Sequence, residues 1–245
     1  MDKNEYLEKI VRQSRYMVAV CSSGLAEESG IIGMRTPSRA YDIEKKYGYS
    51  PEEIFSEVFF NTRPELFFDF YRDELLAFGN EKPGRAFGCL RELEEKRILK
   101  SIVTNNIYGL ARKAGCKNVI ELHGNMEYNK CKHCQAEYDS DYIRDSKNIP
   151  TCERCGAVVR PQVLLFGAMV DNRTMTRAIN EISKADVLLV LGMNLKSDFA
   201  ARYIKNFQGN KLVLINNEEH YSDGIADLVF HEPCGEVLEK LVKEL

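Results

Sequence analysis

No stretch of this 245-residue chain approaches the ~18 consecutive apolar residues that a membrane-spanning helix needs, so no membrane partner is expected. Its first residues, M-D-K-N-E-Y-L-E-K-I, carry no apolar run of signal-peptide length, and the expected location is the cytoplasm. An excess of positive charge is also missing. Net charge is −3 and the isoelectric point lies near 5.9, so the electrostatic footprint of a nucleic-acid binder is absent. Internal repeats and low-complexity segments are absent as well. The 44% hydrophobic content permits a full core.

What is present is an alternation of apolar runs and helical patterns. Residues 2 to 15 read as an amphipathic helix with Tyr6, Leu7, Ile10 and Val11 on one face. The run 16–20 reads as a buried strand, followed by the small-residue turn Ser22-Ser23-Gly24. A strand, such a turn and a helix start form the first unit of a nucleotide-binding α/β sheet, where small residues let backbone N–H groups approach a pyrophosphate. With one glycine at the turn, an ordinary tight turn is the competing reading. Further strands are expected at 98–103, 119–122, 158–167, 185–192, 211–217 and 226–230, with helices at 85–97, 169–183 and from 234. Residues 36 to 80 are rich in aromatics and carry two helix starts, Ser50-Pro51-Glu52-Glu53 and Thr62-Arg63-Pro64-Glu65, which predict a helical module. The expected fold is α/β: a Rossmann-like parallel sheet (1–35, 81–124 and 161–245) with a helical insertion (36–80) and a small zinc-ribbon module (125–160).

Eight cysteines in a chain of this size and compartment read better as metal ligands than as a disulfide framework. Cys131, Cys134, Cys152 and Cys155 make a Cys-x2-Cys-x17-Cys-x2-Cys pattern, which fits a four-thiolate zinc knuckle; two disulfides are the alternative. With four protein ligands no position is left for water, so this zinc is expected to be structural. His133, between two ligands, is expected to be exposed, and Cys89, Cys116 and Cys234 to be buried apolar fillers.

The chain is organised around residues 101 to 134. Two apolar runs end there in polar residues, Thr104-Asn105-Asn106-Ile107-Tyr108 and His123-Gly124, just before the first cysteine pair. This arrangement points to a reaction centre at a domain junction. It also resembles the sirtuin family of NAD-dependent protein deacylases, which carry T-Q-N-I-D and H-G at these places and a zinc-binding Cys-x-x-Cys after them. The likeness spans roughly residues 10 to 245. Ser22 to Arg35 is similar to the family's G-A-G-x-S-x-x-S-G-I-P-x-F-R, keeping the third glycine, Ser-Gly-Ile and Arg35; the phenylalanine is Met34, a more mobile side chain.

The resemblance implies NAD as co-substrate, structural zinc, and an acyl-lysine protein or peptide as partner. It assigns His123 as general base and Asn106 as a further catalytic residue. It places Ser22, Ser23, Gly24, Arg35, Asn105, Tyr108, Gly192, Asn194 and Asn216 around NAD, and Leu164, Phe166 and Gly167 beside the substrate, through β-augmentation. In the implied reaction the acyl oxygen attacks a ribose carbon as nicotinamide leaves, and histidine deprotonates a ribose hydroxyl. Besides Gly33 and Met34, four departures bear on activity. Asn105 replaces glutamine, Ala168 replaces a glutamate, Met193 and Asn194 stand in a G-T-S segment, and Tyr108 replaces the aspartate that holds the nicotinamide carboxamide. Two other outcomes are therefore open: a non-catalytic NAD or ADP-ribose binder, and an ADP-ribosyl transferase or NAD hydrolase. The sequence leaves the acyl group, the target protein and the oligomeric state undetermined.

Overall fold

A computed structural model describes residues 2–245. They form a six-stranded parallel sheet and a three-stranded antiparallel one. In chain order the strands are β1 (Met17–Cys21), β2 (Leu99–Thr104), β3 (Val119–Glu121), β4 (Gly124–Cys131), β5 (Glu137–Tyr138), β6 (Val159–Val163), β7 (Val187–Leu191), β8 (Lys211–Ile215) and β9 (Leu228–Phe230). The large sheet has the order β3-β2-β1-β7-β8-β9 and the small one β5-β4-β6.

Strands β1 and β7 are apolar at every position and wholly buried, as expected of strands covered on both faces. Because side chains alternate across a strand, each one feeds two cores. Met17, Ala19, Cys21, Leu189, Leu191, Val213 and Ile215 point into one; Val18, Val20, Leu188, Val190, Leu212 and Leu214 point into the other. The first core is closed by the helices Lys3–Gln13, Arg85–Glu95 and Cys234–Glu244, the second by Asn172–Lys184 and Asp198–Tyr203.

Local chemistry sets the helix ends. Asp2 and Glu5 form a capping box on the first helix, and Ser50 and Glu53 form another where proline opens the turn. The helix expected from residue 169 begins instead at Asn172. Asp171 caps it, its carboxylate accepting the Thr174 N–H at 2.9 Å, which leaves residues 169 to 171 outside. Residues 51 to 78 fold into short helices whose rings Phe55, Phe60, Phe67, Phe68 and Tyr71 pack on one another. Among the described residues no helix is long and apolar enough to cross a membrane.

Candidate active site and zinc centre

The sheet order reverses at β1, which lies between β2 and β7, while the chain runs outward on both sides. Such a reversal opens a crevice at the carboxyl ends of the strands, where open α/β sheets bind ligands. The strands end in step: Cys21 pairs with Thr104 and Leu191, Thr104 with Glu121, and Leu191 with Ile215. The next residues of each strand therefore form one rim. Ser22 to Gly24 follow β1, Asn105 and Asn106 follow β2, His123 follows β3, Gly192 to Asn194 follow β7, and Asn216 follows β8. From β3 to β8 this rim crosses four strand spacings, roughly 19 Å.

At the centre of the rim two glycines touch. A Cβ on Gly24 would sit 2.6 Å from the Gly192 Cα, and the Gly24 N–H donates to the Gly192 carbonyl at 3.0 Å. The Ser22 N–H donates to the Leu191 carbonyl. The turn after β1 is thus clamped to the end of β7 by backbone alone, and any side chain at either position would force them apart. Gly24→Ala is expected to destabilise the protein by about 1–3 kcal/mol, read as a lowered denaturant midpoint. An unchanged midpoint would show that the turn relaxes freely.

Asn106 accepts the Tyr108 N–H at 2.8 Å, and its own N–H donates to the Thr104 hydroxyl at 3.0 Å. This local turn fixes the segment after β2. Tyr108 is 8% exposed, and burial pushes its hydroxyl pKa up to about 12, so it is a neutral phenol at pH 7. Asn194 accepts the Lys196 N–H, and the Asn216 side chain donates to the Glu218 carbonyl. These two asparagines shape the far end of the rim.

His123 sits at the junction of the two sheets. Its carbonyl accepts the Leu164 N–H at 2.8 Å, and the following Gly124 pairs with Val163 across β4 and β6. A Cβ on Gly124 would lie 2.0 Å from the Gln162 carbonyl oxygen, at a φ of +73°, so only glycine lets the chain pass here. Phe166 then exchanges backbone bonds with the helical module, donating to Phe55 and accepting from Glu57. Its ring lies 4.7 Å below the Arg35 guanidinium, which also reaches Glu52 at 3.0 Å. His123, Leu164, Phe166 and Arg35 are thereby tied into one neighbourhood, beside a cleft of about 470 Å³ that His123 and Leu164 help to line. Gly167 is exposed.

Burial lowers the His123 pKa below its ordinary value, and the Arg202 and Arg35 charges lower it further. The imidazole is therefore neutral at pH 7 and ready to accept a proton. Arg202 carried no sequence signal, since its effect arises only when the Asp198–Tyr203 helix is folded over the rim. Arg39 was missed in the same way: it bonds the carbonyls of Ile32 and Glu74 and lies over Phe78, holding the loop before Arg35 to the helical module.

The four paired cysteines converge, with every sulfur within 4.8 Å of the others. Cys131 lies 3.4 Å from Cys155 and Cys134 lies 3.4 Å from Cys152, close to the roughly 3.8 Å between sulfurs in a tetrahedral zinc-thiolate site and too far apart for disulfides. The two turns are near copies. In each, the residue after the second cysteine, Gln135 or Gly156, is left-handed and donates its N–H to the first cysteine's carbonyl. The Tyr138 hydroxyl, bonded to Cys152 at 3.1 Å, draws that thiol down to about 6, favouring the thiolate that a metal needs. The donor set fits zinc with no position left open. His133 is exposed and outside the cluster, and Cys89, Cys116 and Cys234 are buried.

Comparison with known proteins agrees with this geometry. The Sir2 family model matches residues 22–198. The chain belongs to the Sir2, or sirtuin, family. An NAD-dependent protein deacetylase of Clostridium acetobutylicum is 39% identical over 243 residues, covering 99% of each chain. Among solved structures, a Sir2 homolog–NAD complex superposes with a TM-score of 0.87 at 31% identity, covering 100% of this chain and 93% of the other. A Sir2–p53 peptide–NAD+ complex superposes with a TM-score of 0.83 at 31% identity, covering 100% and 98%. In this chain the crevice lies at the carboxyl ends of the parallel strands, and His123 at its rim adjoins the zinc-bearing module through Gly124.

Proposed function

We propose that this sirtuin is an NAD-dependent protein-lysine deacylase of the cytoplasm, acting on acyl-lysine in proteins or peptides. The observation that carries the reading is His123: a neutral, largely buried imidazole on the rim of the ligand crevice, bonded through its carbonyl to the Leu164 segment. When bound, NAD would supply an electrophilic ribose carbon with nicotinamide as its leaving group. The Ser22-Ser23-Gly24 turn, Gly192, Asn194 and Asn216 would hold the dinucleotide along the rim, with Arg35, Asn105 and Tyr108 near its reacting end. His123 would take the proton of a ribose hydroxyl, and Asn106 would orient that ribose. Leu164, Phe166 and Gly167 would line the substrate, with the backbone groups of Phe166 spent on the helical module.

The test is nicotinamide release by the zinc-loaded protein, with and without a panel of acyl-lysine peptides. Peptide-dependent release supports the reading. Release of free ADP-ribose without any peptide would instead identify an NAD hydrolase. Tight ADP-ribose binding without release would identify a nucleotide-binding relative.

Tyr108 favours slow turnover. A neutral phenol cannot give the charge-assisted bond of a carboxylate, worth roughly 1.5–3 kcal/mol, or about ten- to a hundredfold in rate. Tyr108→Asp is accordingly expected to raise nicotinamide release by about that factor while lowering thermal stability, because a charge replaces a buried ring. A slower or unchanged variant would mean that Tyr108 does not limit the reaction.

A further inference from the structure

Outside the crevice, a cavity of about 610 Å³ lies between the Asn172–Lys184 helix, the edge strand β3 and the zinc module. Its charges do not balance. Arg112, Lys130, Arg173 and Arg177 face two carboxylates, Glu121 and Glu137. Arg112 pairs with Glu121 at 2.9 Å and Lys130 with Glu137 at 2.9 Å, which leaves two arginines over. Arg173 and Arg177 are exposed, stand four residues apart on one helix face, and make no salt bridge among the described residues. Of the neighbouring carboxylates, Asp171 caps the helix and lies within electrostatic range of Arg173 without pairing with it, and Glu181 is engaged with Tyr16 and Lys184.

Asn129 lies in the wall but is 1% exposed, with its side-chain oxygen buried, so the groups that the cavity offers a ligand are the two arginines. Two arginines four residues apart suit the successive carboxylates of an acidic polypeptide segment. The cavity adjoins the cleft at His123: Glu121, Gly124, Lys130, Gln162 and Thr174 line both.

We propose that this cavity takes an acidic segment of the protein substrate flanking the acyl-lysine, with Arg173 and Arg177 as specificity-determining residues. The proposal rests on the deacylase reading for the identity of the ligand, and its test is separable from that reading. Fluorescence anisotropy with zinc-loaded full chain, without NAD, would compare acyl-lysine peptides of equal length carrying acidic, neutral or basic flanks on either side.

The acidic peptide is expected to bind about five- to tenfold tighter than the neutral one, and the gain to vanish in high salt. In the Arg173→Glu/Arg177→Glu variant the preference should reverse towards the basic peptide. Turnover of the neutral peptide should stay at the wild-type level, with unchanged zinc content and circular dichroism. Equal binding of all three peptides, or an acidic preference that survives the double substitution, overturns the proposal. Loss of acidic preference in a protein that releases no nicotinamide from any peptide would keep the docking site and overturn the deacylase reading alone.

Discussion

His123→Ala is expected to lower peptide-dependent nicotinamide release by roughly 10²–10⁴-fold, the usual contribution of a positioned general base, with little change in peptide binding. Nothing else on the rim can take its place, because Asn105, Asn106 and Asn194 do not titrate. The pH profile separates a base from a merely structural residue. The folded pKa of His123 lies below its ordinary 6.5, by burial and by the charges of Arg202 and Arg35. The neutral, active form therefore persists as pH falls through 6.5, and the acid limb of kcat/KM should lie below that value.

The same shift links to stability. The unfolded chain binds the proton more tightly, so the stabilising contribution of neutral His123 is full above pH 6.5 and is lost as pH falls from there through the folded pKa. Arg202→Ala removes one repelling charge and should move the acid limb towards 6.5. An acid limb at or above 6.5 in the native protein, unmoved in this variant, would argue against His123 as the base.

Removal of zinc is expected to have the largest effect on the fold. Structural zinc sites in small modules have apparent binding free energies of about 10–16 kcal/mol, most of it coupled to folding. The strands here are short: β5 spans Glu137–Tyr138, and β4 and β6 meet the knuckles directly. Even about 4 kcal/mol lost from the module would lower the melting midpoint by roughly 10 °C. Chelation or Cys152→Ser should also weaken turnover, since β4 begins at Gly124, one residue after His123, and β6 leads into Leu164. His133→Ala serves as the control, with zinc content and midpoint unchanged. A chelated protein with native midpoint and activity would show that the cysteine cluster is not a structural metal site.

Much of the architecture follows from local chemistry. The continuous apolar runs of β1, β7 and β8 specify buried parallel strands because only a two-sided core suits them. Ser50-Pro51-Glu52-Glu53 specifies a helix start because each residue satisfies or spares an orphan N–H, and the cysteine spacing specifies a tetrahedral thiolate site because each Cys-x-x-Cys turn presents two sulfurs to one point. The likeness to sirtuins at Ser22–Arg35, Thr104–Tyr108 and His123-Gly124 singled out the rim residues.

Pairings across long sequence distances were decided only by the tertiary structure. Local signals could not set the start of the helix after residue 168, where the Asp171 cap overrode apolar Met169 and Val170. Nor could they disclose that Gly24 and Gly192 share a contact, since backbone approach between residues so distant leaves no trace in either neighbourhood. The acidity of His123 depends on its burial and then on Arg202 and Arg35, and the surplus charge at Arg173 and Arg177 on which carboxylates are already taken. Residue type and spacing fix the elements and the zinc ligands of this protein, and the likeness to sirtuins implied its other ligands. Electrostatics and close contact depend on distances through space, and those exist only once the chain has folded.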